Sequence, residues 1–340
     1  MFLFSKQPKQ PKDGPRFSSA RCSVLLVFLL SCFSLIESVA QSIDGPSEIT
    51  RLAKKSLLLG IHGRTDRAIA VGERGHILLT TNQGKTWAQK KSPTRRTLNS
   101  VYFLDQKKVW IVGHQSTVLH SLDGGESWTR VKILNDPETA FLDVRFIDSM
   151  RGFIVGSYGK FFSTNDGGNS WIETQQDDDP HFYQITLAQN GALWLIGEFG
   201  TVWKSKNQGK EWEPLDSQYD GSFFGAVPLN NDDSLIVHGL RGNIFKVKSD
   251  LKWEKVDSPT NAILHSGLQL KNGYVILVAG AGELLLGTED GGSFETVALP
   301  DKAATPTDLW QSEDGSLLVT TDRGVFRMPT DDLKKSRSND

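Results

Sequence analysis

The stretch Val71-Gly72-Glu73-Arg74-Gly75-His76-Ile77-Leu78-Leu79-Thr80-Thr81-Asn82-Gln83-Gly84-Lys85-Thr86-Trp87 decides the fold. It reads as Val-Gly-x-x-Gly-x, a short apolar run, then Ser/Thr-x-Asp/Asn-x-Gly-x-x-Trp. The pattern returns from Gly113 to Trp128, Gly156 to Trp171 and Gly197 to Trp212, with glycine and tryptophan 15 residues apart in all four copies. Weaker copies begin at Gly239, at Ala279-Gly280 and at Thr321, so the unit recurs every 41 to 43 residues. Seven strand-rich units of this period predict an all-β, seven-bladed β-propeller with four-stranded antiparallel blades. The blades are expected near 57–90, 97–131, 140–174, 183–215, 223–256, 264–298 and 305–328, the last completed by 48–52.

Each unit explains itself locally. In the second, Ser100–Leu104, Val109–Val112, Thr117–His120 and Ser127–Val131 read as four strands, and the near-continuous apolar second strand implies burial on both faces. The Gly-x-x-Gly step supplies a tight hairpin that needs positive φ. Asn82, Asp123, Asp166, Asn207 and Asp290 are placed to accept backbone amides within their own turn. The glycine two residues on (Gly84, Gly125, Gly168, Gly209, Gly292) permits a left-handed conformation, and Trp87, Trp128, Trp171 and Trp212 pin the turn by burying a large ring. These carboxylates are read as structural and not catalytic. The final unit has only three strands, so Glu48–Leu52 is expected to supply the fourth and close the ring. Residues 331–340 read as a polar tail.

The N-terminus has a different character. Lys6, Lys9, Lys12, Arg16 and Arg21 precede the apolar run Val24–Ile36, and Ser38-Val39-Ala40 resembles a cleavage site, so residues 1–40 read as a secretory signal peptide. An uncleaved anchor, or lipidation at Cys32, are the alternatives. After such cleavage 33 basic residues would face 38 acidic ones, a net −5, and both cysteines, Cys22 and Cys32, would be gone. With 38% hydrophobic residues and no basic excess, the chain is a globular one without the footprint of nucleic-acid binding. The seven histidines show no paired metal spacing, and Asp177-Asp178-Asp179 reads as a solvated loop before it reads as a calcium site. No cofactor and no metal are expected.

The turn signature is the Asp-box of BNR-type repeats. Val101-x-Phe103-x-Asp105 followed by Val109-Trp110-x-Val112-Gly113, and Val144-x-Phe146-x-Asp148 followed by Gly152-Phe153-x-Val155-Gly156, resemble the photosystem II stability/assembly factor family. The resemblance covers roughly 50–328 and implies a non-enzymatic, exported scaffold. Such a protein would act, as a monomer, on a membrane-protein subunit or envelope complex in the periplasm or a thylakoid lumen, using an arginine-rich propeller face. The matching face here would gather Arg74, Arg95, Arg96, His114, Tyr158, Phe199, Arg241 and Arg323, with Lys90, Lys91 and His181 beside them. Only three of seven hairpins are basic. The rival readings are a sialidase, which lacks its early Arg-Ile-Pro motif here, and a glycan binder stacking sugars on Trp203 or Tyr219.

Overall fold

The computed structural model describes residues 44–174, 179–230, 233–330 and 333. The expected signal segment with its two cysteines, and Asp177 and Asp178, lie outside the described residues. From Leu58 the chain forms seven antiparallel blades, each a meander whose strands follow one another outward in sequence order. The innermost strands are Leu58–Arg64, Leu98–Phe103, Phe141–Phe146, Phe182–Leu187, Phe223–Pro228, Leu264–Gln269 and Pro306–Gln311. The seven-bladed expectation is met.

Burial explains the strand patterns. The second strands of blades 2 to 7, such as Val109–Gly113 and Leu193–Gly197, are buried at every position, because a neighbouring blade covers each face. Ile69 and Val71 of blade 1, for example, pack against Leu98, Val101 and Phe103 of blade 2. At about 1.5–3 kcal/mol for each fully buried large side chain, this packing between blades is the main force holding the ring.

The Asp-box turns form as read. In blade 2, Ser121 Oγ donates to Asp123 Oδ1 (2.7 Å) and accepts from Gly125 N–H (2.8 Å), while Asp123 accepts the amides of Glu126 and Ser127 (3.0 and 2.9 Å). Thr80/Asn82, Thr164/Asp166 and Ser205/Asn207 repeat the pattern. Burial presses the Asp123 carboxyl upward, but these bonds outweigh it and hold the group down to about 2. The box glycines do more than turn the chain. A Cβ at Gly84, Gly125, Gly168 or Gly209 would lie 2.2 to 2.4 Å from Leu318, Ile69, Trp110 or Phe153 of the preceding blade. In blade 6 this role falls to Gly291 (φ +67°, seated on Ile236) and not to Gly292, whose amide instead bonds Asp290 and Thr288. The cause is a turn one residue shorter, with Phe294 four positions after Asp290 where Trp128 stands five after Asp123.

The seam between blades 7 and 1 differs from expectation. The last sheet has three strands, and Glu48–Leu52 does not join it. Gln89 of blade 1 holds that segment instead: its side chain accepts from Thr50 N–H and donates to Glu48 O (both 2.8 Å). Thr50 then caps a short 3-10 helix, Arg51–Lys55, that lies across the end of the strand Gly324–Met328. The hydrogen-bonding groups needed for a ladder are thus engaged elsewhere. At the outer edge Leu333, expected in a polar tail, is 1% exposed and packs with Val297, Leu299, Leu309 and Met328.

Every innermost strand carries a register shift near its start, and the residues after it reach across to the next blade. Ser100 Oγ donates to Asp143, which accepts Ile185 N–H; Ser266 Oγ donates to Asp308 (2.6 Å), which accepts Ile61 N–H (2.8 Å). Asp308 therefore links blades 6, 7 and 1 across the seam. These groups line a central channel of about 310 Å³. Burial raises both carboxyls, Asp308 to about 6, with the charge of Asp143 adding to it. His62 sits in the same channel between Tyr102 and Trp310; burial, Arg145 and Arg64 lower it to about 3, so it is a neutral acceptor for Phe103 N–H.

Candidate protein-binding face

The hairpins between second and third strands pack on the connections between blades. A Cβ at Gly75, Gly200, Gly242 or Gly324 would lie within 2.0 Å of the carbonyl of Thr94, Tyr219, Thr260 or Lys54. Gly159 N–H and Gly200 N–H donate to Pro180 O and Gly221 O (2.9 and 2.8 Å). Hairpins and connections thus make one face, and the meander puts the Asp-box turns on the other.

The hairpin tips share one backbone device. Arg74, Gln115, Tyr158, Phe199 and Arg241 all have φ between +54° and +57°, each followed by a second left-handed residue. Such a pair of residues ordinarily selects asparagine or glycine, and a larger side chain there costs about 1–2 kcal/mol. Large side chains at these tips are held outward against that cost. Phe199 is 75% exposed and Tyr158 54%. Gln115 belongs to this ring although serine stands in place of the second glycine in His114-Gln115-Ser116; it, and not His114, is the tip of that hairpin.

The structure divides the expected residues into two groups. Arg74, Arg241 and Arg323 are exposed at tips of blades 1, 5 and 7. Arg95 and Arg96 are on the face but engaged: Arg95 pairs with Glu48 (3.1 Å) and donates to Pro46 O, and Arg96 donates to Gln115 O (2.7 Å). Lys90 is bonded to Glu126 of blade 2. His114 pairs with Ala140 as an isolated bridge. Tyr158 meets His181 edge-on at 4.9 Å, and His181 N–H donates to Glu198, which also accepts the Tyr183 hydroxyl (3.1 Å). Tyr183 packs against Phe224 at 4.7 Å, and burial together with the Glu198 charge drives its hydroxyl pKa upward. Blades 3 to 5 thus carry an aromatic sector braced by one carboxylate. Blades 7 and 1 carry a basic one that includes Arg51, which the sequence reading put in the closing strand 48–52, and Lys54 and Lys55, which it did not place on this face.

The rival candidates are occupied otherwise. Trp203 is half-buried against Phe182 at 5.5 Å, and the Tyr219 hydroxyl is bonded to Asn243. Arg327 of Arg327-Met328-Pro329, a stretch like the sialidase motif but at the far end of the chain, donates to Asp314 and to Gln83 O. Among the described residues no group of three or more metal-ligating side chains converges, and no helix is long and apolar enough to cross a membrane.

Comparison with known proteins bears on the family and the fold. The family described as "Photosynthesis system II assembly factor YCF48" matches residues 46–137 and 134–254. The chain is 29% identical over 271 residues to the photosystem II assembly protein Ycf48 of Thermosynechococcus vestitus, covering 74% of this chain and 77% of that one. A shorter match, 36% over 69 residues, covers 18% of this chain and 16% of the chloroplastic photosystem II stability/assembly factor HCF136 of Oryza sativa subsp. japonica. Among solved structures, YCF48 bound to D1 peptide superposes with a TM-score of 0.66 at 20% identity, over 83% of this chain and 96% of that one. A streptogramin B lyase reaches 0.71 at 17% identity over the same shares, a likeness of fold alone.

Proposed function

The chain belongs to the photosynthesis system II assembly factor YCF48 family, and from that premise we propose that it is a protein-binding scaffold for assembly of a photosystem II membrane subunit. The observation that carries the reading is the ring of tips at which arginine, glutamine, tyrosine and phenylalanine are held outward in left-handed backbone. Strain kept at exposed positions is a mark of function, because packing gives no reason for it. Arginine beside exposed aromatics is also the composition of protein-binding surfaces. The relative bound to D1 peptide suggests the ligand: an extended segment of a membrane subunit crossing the face.

In this reading the protein works without catalysis, as a monomer, after export into a thylakoid lumen or periplasm directed by residues 1–40. The test is capture of a synthetic D1 segment by the purified chain. Reversing Arg74 and Arg241 together to glutamate should weaken capture at least tenfold while leaving the melting temperature in place. Unchanged capture ends the assignment. A fluorogenic sialoside gives the enzymatic alternative its own readout.

A further inference from the structure

The 3-10 helix Arg51–Lys55 and the residues before it make a patch that the protein-binding reading does not use. Arg51, Lys54 and Lys55 are exposed, and none takes part in an ion pair among the described residues. Arg323 and Arg74 flank them: the helix lies on the strand that starts at Gly324, and Glu73 N–H donates to Leu57 O (3.1 Å) just beyond the helix. Five cations therefore share one rim of the hairpin face. Of the acidic residues nearby, Glu48 pairs with Arg95, while Asp322, bonded to Thr305 N–H, and Glu73 keep their charge, so the five cations leave the rim with a net positive charge. Within the same short segment Ile49 and Leu52 stand 62% and 68% exposed. Both are aliphatic, both lie beside the helix cations that have no ion pair among the described residues, and neither has a place in a hydrophobic cluster.

A site for an acidic peptide would have use for the cations but no reason to hold two aliphatic side chains clear of the fold. A lipid surface answers to both. Cations are drawn to anionic headgroups, and aliphatic side chains enter the boundary between headgroup and acyl chain. We propose that the rim formed by Ile49–Lys55 with Arg323 and Arg74 docks the propeller on an anionic membrane surface. Docking there would present the tips beside the bilayer from which a membrane-protein segment emerges. The proposal shares Arg74 and Arg323 with the protein-binding face but is carried by Ile49, Arg51, Leu52, Lys54 and Lys55, which that reading does not use.

The test is co-sedimentation of residues 41–340 with vesicles of phosphatidylcholine alone or with 30% phosphatidylglycerol, at about 0.05 and 0.3 M salt. The wild type should bind the anionic vesicles at low salt, and bind weakly to the neutral ones and at high salt. Arg51→Glu, Lys54→Glu and Lys55→Glu together should reduce partition by about fivefold or more for each cation removed. Leu52→Ser with Ile49→Ser should reduce it at both salt concentrations. Both variants should capture the D1 segment like the wild type. No binding of the wild type to anionic vesicles, or equal binding by the charge-reversed variant, overturns the proposal. Loss of D1 capture with vesicle binding intact overturns it in favour of an acidic-peptide site.

Discussion

Replacing Asp308 by asparagine tests whether a buried carboxylate secures the seam. The group accepts from Ser266 Oγ, Ile61 N–H and Leu309 N–H, so three blades converge on it. Burial nevertheless raises its pKa from 3.8 to about 6, the bonds offsetting only part of the desolvation. The sign follows. The folded protein keeps this proton through a range where the unfolded chain has lost it, so stability from this group is greatest in acid and falls as pH rises toward 6. A shift of about two units corresponds to roughly 3 kcal/mol in full, of which about 2 kcal/mol falls between pH 4.5 and 7.5. The carboxyl lines an open channel, where screening lowers the expected loss to about 1–2 kcal/mol. Asparagine keeps one acceptor for Ile61 N–H and offers a donor to Ser266, but does not titrate. The assay is urea unfolding followed by tryptophan fluorescence at pH 4.5, 5.5, 6.5 and 7.5. The wild type should lose that stability across the series relative to Asp308→Asn, and the low-pKa box carboxylates cancel because both proteins have them. Parallel curves for the two would refute the argument.

Other consequences are independent of the seam. Ser121→Ala removes the hydroxyl that serves Asp123 and Gly125 and should cost about 1–2 kcal/mol in denaturant midpoint analysis, whereas exposed Leu122→Ser beside it should be near neutral. Gly84→Ala forces a Cβ to 2.2 Å from Leu318 at φ +78° and should cost about 2–4 kcal/mol by the same measurement. Phe199→Asn relieves left-handed strain and should stabilise by up to about 1 kcal/mol while weakening capture of a D1 segment; a drop in stability would remove the strain from the argument.

What the sequence disclosed is what the backbone demands of particular residue types. A left-handed turn needs glycine, an Asp-box needs its carboxylate or amide with a hydroxyl two residues earlier, and both leave marks at fixed spacing. That is why seven blades could be counted from Gly72 to Thr321. The hidden features depend on which side chain wins a partner from elsewhere. Glu48–Leu52 has the right place for a closing strand, but Gln89, 39 residues from Thr50, takes its backbone groups. Arg95 and Arg96 sit on the expected face, yet Glu48 and the Gln115 carbonyl hold them. Gly292 matched the motif while the one-residue-shorter turn passed its task to Gly291. Leu333 looked like part of a solvated tail because no local pattern tells of the apolar cleft it fills. In the hairpin His114-Gln115 the first residue was chosen for the face, whereas the left-handed tip is Gln115.

The unlaced seam bears on how the chain could be re-cut. In a ring whose two ends are woven into one sheet, moving the termini tears a ladder. Here the ends meet by side-chain contact, so a permuted chain opened between blades 5 and 6, with the old ends fused through a flexible bridge, would lose no strand pairing at the join. Its weakest joint would travel with the new opening, and so would the place where thermal opening starts.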